Sequence, residues 1–129
     1  MKLNLKIPKS LYPFYKDELK KAKQLFNEDK FQQSWQHLER AHIIGQPYPF
    51  AHSFVHWKML VFGIKTKNPK EIIGQIPRLL VGGVKSFVGN IPVGNTGGAN
   101  VPPLQPMEIP EDLLIVIQNN SNNETTIKR

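Results

Sequence analysis

The chain contains no cysteine. That excludes disulfides, thiolate nucleophiles, iron–sulfur clusters and Cys-ligated zinc, so any metal must be held by histidine, carboxylate, amide, backbone or water. Long apolar runs are also missing. The longest, residues 72–88, is broken by Gln75, Pro77, Arg78 and Lys85, well short of the roughly 20 residues that a membrane helix needs. No membrane insertion is expected. The opening residues Met1 to Lys9 lack the unbroken apolar core of an export signal, and a cytoplasmic setting is expected. Acidic residues are few, 10 against 17 Lys and Arg, for a formal net charge of +7. This balance permits nucleic acid or an acidic surface as partner. The lysines are dispersed, however, with Lys16, Lys20, Lys21 and Lys23 on one segment and Lys65, Lys67 and Lys70 on another. There is no Arg-rich arm, and no stacking platform is evident, so nucleic acid is permitted but not favoured. The HExxH motif, the nucleophile elbow and the P-loop ending are all absent. No nucleophile is positioned by any motif, and whether the protein is an enzyme stays open.

What is present is helical periodicity. Leu11, Tyr15, Leu19, Ala22, Leu25 and Phe26 recur at three- and four-residue steps after Ser10, a suitable N-cap. Asp29 is placed to cap a second helix from Lys30 to Ile44, with Phe31, Trp35, Leu38 and His42 on one stripe and Gly45 as its stop. These two segments have the pattern of one tetratricopeptide-like hairpin, too little for a repeat array. After the stiff connector Gln46-Pro47-Tyr48-Pro49, a third helix runs to Ile64. Phe50, Phe54, Val55, Trp57, Met59 and Leu60 surround it, which predicts a buried central helix. Asn68-Pro69 opens a fourth, in which Pro77 demands either a kink or a break. Residues 89–110 are rich in Gly, Pro and Asn and read as an ordered irregular loop. A last helical turn follows from Pro110 to Ile117. The expected fold is mainly α: about four helices and a long Gly/Pro loop in one domain over residues 11–117, with an N-terminal extension over 1–10 and a disordered tail over 118–129.

All four histidines fall between positions 37 and 56. His52 and His56 are one helical turn apart on one face and can chelate one ion. Glu39 and His42 form a Glu-x-x-His pair, the spacing used by carboxylate-bridged metal bundles. The short connector brings His42 to the level of His52, whereas His37 faces away and is expected in solvent. The site read from spacing is Glu39, His42, His52 and His56, with Glu18 beside it as a further carboxylate. Such donors suit divalent iron, zinc, manganese or copper. Two other readings stand beside this one. The buried histidines and Glu39 can form a structural hydrogen-bond network in a metal-free interaction module, or they can line a polar pocket for a small ligand. His52 or His56 would also serve as a general base.

Gly94-Asn95-Thr96-Gly97-Gly98 offers successive backbone N–H groups. Tight turns explain it more simply than phosphate binding. It is also placed to fold over the histidines as a lid, with Asn95 and Thr96 outside the ligands.

Leu38-Glu39-Arg40-Ala41-His42-Ile43-Ile44-Gly45-Gln46, His52-x-x-x-His56-Trp57-x-Met59-Leu60, Gly74-Gln75, Pro92-x-Gly94-Asn95-Thr96-Gly97 and Pro106-Met107-x-Ile109-Pro110 occur in that order. Together they resemble a family of small, mainly bacterial proteins catalogued as domain of unknown function 3703. The resemblance covers roughly residues 12–115. It implies that Glu39, His42, His52, His56 and Asn95 occupy signature positions, and it implies no activity. Neither a partner nor an oligomeric state follows from it.

Overall fold

The structure, a computed structural model, describes residues 6–88, 97–99 and 107–120, with side chains outside 79–88. Five helices follow in order among the described residues: α1 (Tyr12–Asn27), α2 (Phe31–Gly45), α3 (Pro49–Lys65), α4 (Pro69–Val88) and α5 (Glu111–Asn120). The architecture is mainly α, as the periodicity predicts, with one helix more than the four that it makes obvious. α1 packs on α2, α2 on α3 and α3 on α4, while α5 touches α2. No helix among the described residues is long and apolar enough to cross a membrane.

The turns differ from expectation in instructive ways. Asp29 does not cap α2. It takes φ 61° and closes α1, where Lys30 N–H donates to the Leu25 carbonyl at 2.9 Å and Asp29 N–H to that of Phe26 at 3.0 Å. This six-to-one and five-to-two pairing is a Schellman ending. Lys67, at φ 55°, closes α3 in the same way. Asn68 then caps α4, its side-chain oxygen accepting from Glu71 N–H at 3.2 Å. Ser10 caps nothing at α1; its hydroxyl donates to the Asn120 carbonyl at 2.7 Å and ties the chain's start to α5. α5 thereby extends past the Ile117 limit expected for it.

Gly45 ends α2 without a positive φ, and its role is spatial. A Cβ there would stand 2.8 Å from the Tyr15 ring, which packs against it while the Tyr15 hydroxyl donates to the Ala51 carbonyl at 2.8 Å. Close approach at this point locks the α2–α3 turn onto α1. α4 is one helix, with Pro77 inside it. Pro77 and Ile73, whose carbonyl loses its partner, share an exposed face where water can serve that carbonyl.

The core is built from Leu11, Tyr15, Leu38, Ile44, Tyr48, Val55 and Met59, with Leu113 and Ile117 of α5 closing it. α3 is not buried all round. Phe50 is 60% exposed, Trp57 48% and Phe54 45%. Its inner stripe is Ala51, His52, Val55, His56, Met59 and Gly63, so the side that meets α2 and α4 is the one carrying the histidines. Phe31, expected on the inner stripe of α2, is likewise 40% exposed.

Candidate metal centre

α2 delivers His42 from its last turn, and α3 delivers His52 and His56 from successive turns of its inner stripe. All three are buried. Their Nε2 atoms converge. His42 and His56 are 3.0 Å apart at Nε2, and each lies 3.1 Å from Nε2 of His52. The ring planes are inclined by 56–78°, so three imidazoles splay outward around one point. A neutral imidazole nitrogen is either donor or acceptor. Each of the three atoms carries either a hydrogen or a lone pair, so at least one edge of the triangle sets like against like, lone pair on lone pair or hydrogen on hydrogen. With the hydrogen of each ring on Nδ1, the three Nε2 atoms would present the donor set of a cation. A tetrahedral ion about 2.0–2.1 Å from each nitrogen would space them roughly 3.3 Å apart, and the observed triangle is within a few tenths of an ångström of that.

The tautomer of His56 follows from its neighbour. Gln75, wholly buried on α4, donates both amide hydrogens, to Glu71 at 2.6 Å and to the Gly97 carbonyl at 2.8 Å. Its oxygen is therefore turned to His56 Nδ1, 2.6 Å away. An amide oxygen only accepts, so Nδ1 carries the proton and Nε2 presents a bare lone pair to the triangle. Burial pushes the His56 imidazolium pKa down to about 4, with the Gln75 hydrogen bond opposing the fall and the Arg78 charge adding to it. The ring is neutral near pH 7. Glu71 completes the chain of contacts by accepting from Ala99 N–H at 3.0 Å.

Residues 97–99 thus lie over the site. Gly97 has φ +86°, and a Cβ there would come within 2.5 Å of His42 Cδ2 and 2.7 Å of its Nε2. Only glycine fits. Of the Gly94–Gly98 segment expected as a lid, Gly97 stands against His42, and residues 94–96, with Asn95 and Thr96, lie outside the described residues.

The carboxylates expected at the site are elsewhere. The converging group consists of His42, His52 and His56, and Glu39 stands outside it. Glu39 is half-buried. Burial holds its carboxyl above the usual carboxylate range; the polar influence of Trp35 opposes this, and the Glu71 charge adds to it. Glu18 belongs to a separate cluster. It meets His37 Nδ1 at 2.6 Å and accepts from Arg40 Nε at 3.1 Å, and Arg40 also reaches Asp112 of α5 at 2.6 Å. His37 therefore does not face open solvent: helical spacing turns it away from His42, but α1 stands in that direction. Gln75 and Glu71 went unassigned at the sequence level. Their signal is a polar pair at i and i+4 within an otherwise apolar stripe.

Fold and site together define a small, mainly helical protein with a buried three-histidine cluster, one ring of which is braced by a carboxamide. The family model described as protein of unknown function (DUF3703) matches residues 9–117, and the chain belongs to that family. No curated protein and no solved structure matches it.

Proposed function

We propose that this protein binds one divalent transition-metal ion through Nε2 of His42, His52 and His56. The carrying observation is the triangle of converging Nε2 atoms at 3.0–3.1 Å. An all-imidazole set narrows the expected metals to zinc, copper or iron over manganese. The three ligands are neutral, so the charge of the ion is met at one remove. Glu71 lies behind Gln75 as an outer carboxylate. Three protein nitrogens leave one tetrahedral position for a further ligand. In this reading the protein works in the cytoplasm as a metal-binding helical domain, and the 97–99 segment shields the ion from solvent.

The test is elemental analysis of the purified protein followed by zinc, copper(II) and cobalt(II) titration. One equivalent should bind more tightly than micromolar, and binding should be lost in His52→Ala. The structural-network alternative predicts that His52→Ala unfolds the protein while no added metal binds or raises its melting temperature. That outcome would overturn the proposal.

A further inference from the structure

On the side of α3 opposite His52 and His56, a groove runs between α1 and α3 and encloses about 410 Å³, within the range of ligand-sized pockets. Its floor includes Leu19, Phe26, Val61 and Phe62, and its rim carries Lys16, Lys20 and Lys23 of α1 and Lys58 and Lys65 of α3. The three α1 lysines are spaced i, i+4 and i+7 and form one ridge. None of the five pairs with a described carboxylate. Instead Lys58 Nζ lies 5.3 Å from the Phe54 ring centre, and Lys65 Nζ lies 5.5 Å from that of Phe26. Two rim cations therefore fold back over aromatic rings of the groove.

We propose that this groove docks an amphipathic helix of a partner protein, one whose apolar stripe is flanked on both sides by Asp or Glu. The complement of an apolar floor between two basic ridges is an apolar stripe between two acidic ones. Each ridge is about 10 Å long at the helical rise, which spans two turns of a docked helix. A single-headed anionic amphiphile would neutralise one end of one ridge and leave the other lysines unmet. A nucleic-acid strand would meet the lysines and could stack on a ring, but would leave Leu19 and Val61 of the concave floor unmatched. A second copy of this chain would bring a net charge of +7 against +7. The docked helix would displace Lys58 and Lys65 from Phe54 and Phe26, and apolar side chains would take their place on the rings.

The experiment adds a stapled helical peptide to isotope-labelled full-length protein and follows amide shifts. The peptide has leucines at i, i+3, i+4 and i+7 and glutamates on both flanks. Shifts should map to α1 and α3 around the groove, and affinity should strengthen as salt falls. The double variant Lys20→Glu/Lys23→Glu, at two exposed positions, should bind at least about ten-fold more weakly while zinc stoichiometry is unchanged. The proposal fails if the same peptide with lysines for glutamates binds equally well. It also fails if dodecanoate or oligouridine moves these residues and the acidic peptide does not, if the groove shifts report self-association, or if nothing shifts.

Discussion

The two faces of α3 invert the usual division of labour. Its inner face holds His52 and His56 among Val55, Met59 and Gly63, whereas Phe50, Phe54 and Trp57 lie on its outer face. An ordinary surface helix does the reverse. Burying imidazoles away from water costs free energy unless each ring nitrogen is satisfied. Sparing three large aromatics from the core also forgoes burial worth about 1.5–3 kcal/mol for a side chain such as Phe. The inner face builds the triangle with His42, and Phe54 of the outer face lines the lysine-edged groove.

That contrast can be broken experimentally. The largest effect is expected on the inner face: Met59→Ala removes a fully buried side chain and should destabilise by about 2–5 kcal/mol in chemical denaturation. Gly97→Ala comes next. Positive φ and the His42 ring both oppose a Cβ, and a cost of about 1–3 kcal/mol is expected, read as a lower melting temperature. Gln75→Ala should leave the helices intact by circular dichroism yet weaken metal binding by about 10- to 100-fold, because His56 loses the acceptor that fixes its tautomer. The smallest effect belongs to the outer face. Phe50→Ser and Trp57→Ser should each shift stability by no more than about 0.5 kcal/mol. A loss of several kcal/mol there would mean that the aromatic face is packed, and the comparison would collapse.

Much of the helical layout is legible in the residues themselves. The stripes of α1 and α2, Pro49 at the start of α3 and Asn68 before α4 mark elements that local chemistry decides. The i, i+4 spacing of His52 and His56, with a short connector back to His42, places the three rings near one another. The inner side of α3 is not legible, because an apolar helix has no preferred face until its neighbours supply one. The same holds for His37 and Glu18. Spacing turns His37 away from the site and sets Glu18 beside it, and only the packing of α1 on α2 shows that the two meet each other. Glu39 illustrates the limit of a spacing motif: Glu-x-x-His puts the carboxylate one turn from His42, yet it stands outside the group of converging ligand atoms. Asp29 and Lys67 hold left-handed backbone that pattern alone assigns to glycine or asparagine.

The central claim is tested most directly by X-ray absorption on the protein loaded with one equivalent of zinc. The account predicts a first shell containing three imidazole nitrogens at about 2.0–2.1 Å, with the imidazole signal reduced in His56→Ala. A shell of oxygen donors alone, or an imidazole count unchanged in that variant, would contradict it.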